Sequence, residues 1–157
     1  MCDYSLMGVP NRLANEQEDL IAHRFPTGSM GLAAPADVKC STKSAARPRS
    51  FWVALKEFFN PPEHTQVAAV CIPPGARLWL RDIPERLQTS LGVGREEECT
   101  FTQTSQAVNT YRDAVRFSNG KTVRLQELRE GQRVRVLDLS LAEPAAPPLE
   151  ETFVYRL

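Results

Sequence analysis

The sequence predicts a mainly β, single-domain fold: a small barrel or sandwich with a C-terminal meander and two short covering helices. Three observations carry that expectation. The stretch Asp113–Leu139 holds three β-like runs punctuated by Ser118-Asn119-Gly120 and Arg129-Glu130-Gly131. Gln66–Ile72 is a nearly continuous apolar run of the kind found in buried strands. Helical periodicity is confined to two short stretches, Phe51–Asn60 and Asp82–Leu91.

At 157 residues, with 42% hydrophobic and 24% charged residues, the chain is long enough for one real core. The domain is expected over 1–141, with 142–157 a proline-rich linker and a docking C-terminal strand. Formal net charge is zero, so no bulk field favours nucleic acid or an anionic membrane. No run approaches the ~20 apolar residues of a membrane helix. Asp3 stands where a signal peptide would be basic, so a cytoplasmic location is expected.

Taken in order, Met1–Leu6 leads into a turn-rich segment with Gly8, Pro10 and Asn11. Asp19–Phe25 reads as a strand, Pro26-Thr27-Gly28-Ser29 as a turn, and Met30–Ala34 as the returning strand. Residues 34–50 are small, polar and proline-containing, and read as a mobile loop or insertion. Ser50 can cap a helix whose Phe51, Trp52, Leu55, Phe58 and Phe59 form one stripe, closed by Pro61-Pro62. A helix of about ten residues needs a docking surface. The stripe therefore covers the sheet, or Phe51, Trp52, Phe58 and Phe59 meet a protein partner.

After Gln66–Ile72, Pro73-Pro74-Gly75 turns the chain and Ala76–Leu80 returns. The second helix has a capping-box pattern from Asp82 to Glu85, Pro84 in its first turn and Gly92 at its C-terminal end. Gly92–Glu98 reads as loop, and Cys99–Thr104 as an alternating strand. The turn at Asn119-Gly120 can be resolved further, because directly opposed residues share a face. A three-residue loop pairs Val115 with Val123 and gathers Val115, Phe117, Val123 and Leu125 on one side. A two-residue loop would scatter them, since a slip of one residue inverts the faces. The third run, Gln132–Leu139, changes phase near Val136–Leu137, which signals a β-bulge or double-sided burial.

Four cysteines, Cys2, Cys40, Cys71 and Cys99, contain no CxxC spacing, and reduced thiols are expected in a cytoplasmic protein. Cys71 and Cys99 look core-facing, while Cys40 looks exposed. If the N-terminal segment lies beside Gln66–Ile72, Cys2 and Cys71 approach each other. The pair could then form a redox-switchable disulfide or, with His23, a soft metal site; His64 is a poorer ligand. If Met1 is removed, Cys2 would combine a thiol and a free α-amine, as an N-terminal nucleophile requires. Arg112, Arg116, Arg124, Arg133 and Arg135 fall largely on the polar face of the meander without interleaved aromatics, the pattern of a solvated face. No GxGxxG, P-loop, HExxH or GxSxG motif is present, and no cofactor is assigned.

Met1-Cys2-Asp3-Tyr4-Ser5-Leu6 together with Val70-Cys71-Ile72-Pro73-Pro74-Gly75 resembles an uncharacterised family of short bacterial proteins. The resemblance implies a bacterial soluble protein and no particular activity. Phe117–Gly120 and Leu128–Val134 are similar to strands of the hedgehog/intein module. There the pattern closely follows a nucleophilic cysteine; here Cys2 lies far upstream and no terminal His-Asn closes the chain, so self-splicing is not implied. The expected role is a non-enzymatic binding or accessory protein with a thiol site at Cys2 and Cys71, meeting a protein partner or a second copy. The alternative is a small cysteine hydrolase or transferase acting through Cys2.

Overall fold

The computed structural model describes residues 6, 8–45, 66–104 and 111–141, and of 41–45 the backbone only. Among the described residues, nine strands form one mixed sheet: β1 (Asn11–Leu13), β2 (Asp19–Arg24), β3 (Met30–Ala33), β4 (Ala69–Cys71), β5 (Arg77–Arg81), β6 (Glu97–Gln103), β7 (Asp113–Phe117), β8 (Thr122–Arg124) and β9 (Arg133–Asp138). Their order is β1-β4-β3-β2-β9-β5-β6-β7-β8. The pair β1–β4 is parallel and the others are antiparallel. The two described helices are α1 (Pro35–Ala45) and α2 (Glu85–Leu91). The fold is therefore mainly β and a small single domain.

One apolar cluster runs along the inner face from Leu20, Ala22 and Leu32 through Leu78, Leu80, Val134 and Val136 to Phe101, Val115 and Val123. The 3-10 turn Leu125–Glu127 after β8 touches β3, so the sheet curls until its far end covers its near half. Among the described residues, β1 and β8 are the two outer strands and do not pair to close the sheet into a barrel.

Both hairpins use the same turn chemistry. In β7–β8, Val115 opposes Val123, the Gly120 N–H donates to the Phe117 carbonyl at 2.9 Å, and Gly120 has φ 81°. This is the three-residue loop expected from the apolar faces. In β2–β3, Arg24 opposes Met30, the Gly28 N–H donates to the Phe25 carbonyl at 2.8 Å, and Gly28 has φ 83°. The phase change in β9 is a bulge: Arg77 opposes Asp138 but Leu78 opposes Val136, leaving Leu137 as the extra residue.

Several expectations fail. Within 34–50, Pro35–Ala45 is a helix rather than a loop. Pro35 suits its first turn and Asp37 complements its N-terminal dipole, while Val38 packs against the outer apolar layer. A polar helix held by so few apolar contacts has no stripe to reveal it. The third run of the supposed meander leaves its neighbours, because the 3-10 turn carries the chain across the core and β9 pairs with β2 and β5. Likewise β5 does not return beside β4. The Gly75 N–H donates to the Phe101 carbonyl at 2.9 Å, sending the chain into the other half of the sheet. At α2 the capping box is absent. Asp82 has φ 57° and pairs with arginines, while Pro84 is the cap with no side-chain bond; the Gly92 C-cap is left-handed as expected. Glu97 and Glu98, read as loop, begin β6. The Phe51–Asn60 helix and the segment 142–157 lie outside the described residues.

Candidate functional site

In the half-sheet β1-β4-β3-β2, the two central strands are buried on both faces. β3 has the pattern of a strand with every residue buried, and so does β4. Inward residues of these strands, Met30, Leu32 and Val70, join the main core, while Phe25, Ala33 and Ala69 join Leu6 in a second cluster. Val9, Val38 and Val67 pack against that outer layer.

Gly31 forms its floor. A Cβ there would lie 2.9 Å from Leu6 Cδ1 and 3.0 Å from Phe25 Cε2, so these side chains rest on bare backbone. A side chain at this position would require Leu6 and Phe25 to shift. On β2, His23 opposes Gly31, with Nδ1 3.4 Å from Glu130 Oε1 and its ring edge-on to Phe25 at 5.0 Å. On β4, Ala69 opposes Ala33 in antiparallel register, which sets Cys71 level with Gly31 and on the same outer face. Cys71 is therefore two strands from His23, across a glycine.

Cys71 is disulfide-bonded, whereas Cys40 and Cys99 are free. The expectation of wholly reduced thiols fails at Cys71, because folding brings together sulfurs that no local spacing relates. Cys99 faces the main core as expected. Burial, with Glu98 and Glu97 nearby, pushes its thiol up to about 12, so it stays a protonated, unreactive hydrophobe. Cys40 is exposed as expected, though it sits on α1 rather than in a loop.

The disulfide determines what this site can do chemically. A sulfur held in a disulfide is no thiolate donor, but the bond can accept two electrons. Among the described residues, no group of three His, Cys, Asp or Glu side chains is placed to hold a metal ion. His23 and Cys71 share a face. The third expected ligand, Cys2, lies outside the described residues, as do His64 and the aromatic stripe Phe51, Trp52, Phe58 and Phe59.

Of the arginines expected on one polar face, Arg124 meets Glu127 at 2.8 Å, Arg133 meets Asp82 at 3.3 Å and Arg135 meets Asp19 at 3.6 Å. On β5, Arg77 meets Glu98 at 2.7 Å and Arg81 meets Glu96 at 3.8 Å. Trp79 Nε1 donates to Glu96 at 3.3 Å. An open depression of about 580 Å³ is lined by Asp82, Arg95, Arg129 and Gln132 among others. Asp82 takes Arg95 at 2.9 Å and Arg133 at 3.3 Å, and the hydrogen bond from Arg95 holds its carboxyl below the usual range. The sequence pattern at Asp82 points to a helix cap and carries no signal of this depression. The Leu6–Gly31 contact was also missed, although a lone glycine inside the apolar run Met30–Ala33 was a usable signal.

Among the described residues, no helix is long and apolar enough to cross a membrane. No protein-family model, no curated protein and no solved structure matches this chain.

Proposed function

We propose that this chain is a non-enzymatic, cytoplasmic binding or accessory protein in which Cys2 and Cys71 form a redox-switchable pair. The observation supporting this reading is the state of the cysteines: Cys71 is disulfide-bonded while Cys40 and Cys99 are free, so the sequence leaves Cys2 as the candidate partner. The reaction is thiol–disulfide exchange. A dithiol reductant attacks one sulfur, a mixed disulfide forms, and the reductant's second thiol closes its own disulfide. Two electrons and two protons are delivered, leaving both protein sulfurs as thiols.

Peptide mapping under non-reducing conditions tests the reading. Air-equilibrated protein should yield one linked peptide joining Cys2 to Cys71, and a dithiol should convert it to two alkylated peptides. Four free thiols before and after treatment would overturn it. Titration against a glutathione buffer then gives the potential, and native mass spectrometry of both forms reads any change in self-association.

A further inference from the structure

We propose that the open depression lined by the β5–α2 connection and the turn into β9 binds a small phosphate monoester, with Arg95, Arg129 and Arg133 as its anion contacts. The site uses neither cysteine of the proposed thiol pair.

Hydrogen bonds fix both sides of the depression. The Ile83 N–H donates to the Arg95 carbonyl at 2.9 Å, and Gln88 Nε2 donates to the Ile83 carbonyl at 2.6 Å. Opposite them, the Gly131 N–H donates to the Ala22 carbonyl at 2.8 Å. The volume of about 580 Å³ falls within the range of small-molecule sites, about 300–1,000 Å³.

Asp82 organises the charge. It adopts φ 57°, a left-handed conformation uncommon for a non-glycine residue. Its Oδ1 accepts from Arg95 at 2.9 Å and its Oδ2 from Arg133 at 3.3 Å. With both oxygens engaged, this carboxylate positions two guanidiniums and is not free to hold a cation. A guanidinium carries five N–H donors, so each arginine keeps donors for an anion. Arg129 also lines the depression and has no carboxylate partner among the described residues. Three arginines share the lining with two carboxylates, Asp82 and Glu85, an excess of one positive charge. Three guanidiniums match the three terminal oxygens of a phosphate monoester, whereas a carboxylate offers two.

Gln132, a lining residue only 2% exposed, is an independent indication of a ligand. Its Nε2 donates to the Arg81 carbonyl, while its Oε1 is buried with no hydrogen-bond partner among the described residues. A buried acceptor in this state calls for a donor. A hydroxyl on the ester's substituent supplies one, directly or through a bridging water.

The test titrates glycerol 3-phosphate into the full ¹⁵N-labelled chain at fixed ionic strength, with sulfate as the comparison anion. The amides of Ile83, Arg95, Gly131 and Gln132 should shift and saturate by about 10 mM, more tightly than with sulfate. Arg129→Ala should weaken binding about tenfold through loss of a charge-assisted hydrogen bond. Glu85→Gln should tighten it about threefold by removing a like charge. Both residues are exposed, so the thermal unfolding midpoint should not move in either variant. Arg77→Ala, outside the lining, should leave the affinity unchanged. Shifts that do not saturate, or that sulfate reproduces with equal affinity, overturn the proposal. So does an affinity unmoved by both Arg129→Ala and Glu85→Gln. A loss in Arg77→Ala equal to that in Arg129→Ala would mean diffuse attraction to surface arginines and overturns it as well.

Discussion

The hairpins β2–β3 and β7–β8 turn through the same three-residue loop ending in a left-handed glycine, yet they lie in different surroundings. In β7–β8, Arg116 and Arg124 are exposed while Val115, Phe117 and Val123 are buried. In β2–β3 the returning strand is buried throughout, because Leu6, Val9 and Val38 cover its outer side. Local turn chemistry thus fixes how a hairpin reverses. What it is buried against is set by distant chain. The largest expected effect lies where the two hairpins share one core. Phe101, 2% exposed opposite Val115, belongs to the cluster that also holds Leu20 and Leu32. Phe101→Ala should cost about 3–5 kcal/mol in denaturant unfolding. A loss confined to the β5–β8 half, with β2–β3 amides still protected from exchange, would break the shared-core picture.

Two glycines sharpen the comparison. Gly31 is required by close packing and Gly120 by backbone conformation. Gly31→Ala should cost about 1–3 kcal/mol through overpacking against Leu6 and Phe25. Most of that cost should vanish when measured in a Leu6→Ala background, because contacting residues are not additive. Gly120→Ala has open space around it and a cost of about 1 kcal/mol from its positive φ alone. No second substitution nearby should relieve that cost, whereas Gly120→Asn should recover part of it. Equal behaviour of the two glycines in these double variants would remove the distinction.

The same contrast accounts for what could be read from the residues. The β7–β8 register was legible because one face is wet, so alternation survives and a one-residue slip carries a visible penalty. The bulge at Leu137 was legible as a break in that alternation. The placement of β9 between β2 and β5 was not, because strands of similar pattern can exchange neighbours without changing their faces. α1 was hidden by its polar composition and lack of an apolar stripe. At the candidate site, Cys71 and His23 were identified, but the glycine between them and the leucine above it were not. Their roles depend on a meeting of residues 6, 25 and 31 that no periodicity encodes.

A tertiary contact of the β7–β8 turn gives a smaller test. Asn119 Nδ2 donates to the carbonyls of Leu91 at 2.9 Å and Gly92 at 3.2 Å, and Lys121 Nζ to that of Ser90 at 3.1 Å. The hairpin tip thereby satisfies the C-terminal carbonyls of α2. Asn119→Ala should cost about 1 kcal/mol and raise amide exchange in α2, with the β2–β3 turn unaffected. Exchange rising at both turns would mean that the tip supports the whole sheet rather than one helix.

The smallest effect concerns the chain leading into β2, where charge rather than packing sets the geometry. Arg12 holds Glu18 through two hydrogen bonds, one of 3.1 Å from Nη1, and the Asn15 N–H donates to the same carboxylate at 3.0 Å. The Arg12 hydrogen bond, followed by that from Asn15, outweighs burial and holds the Glu18 carboxyl below its ordinary value. A depressed folded-state pKa means that the unfolded chain binds the proton more tightly. Stabilisation is therefore fully present above the unfolded value, about 4.3, and disappears as pH falls through the folded value. Glu18→Gln should cost about 1 kcal/mol or less at pH 7, and the gap from the parent protein should narrow as pH falls below the unfolded value. The gap should also shrink in high salt, since Arg12 is partly exposed. A difference that does not narrow at all as the solution is acidified would show that Glu18 acts through its shape and its bond to Asn15 rather than through its charge.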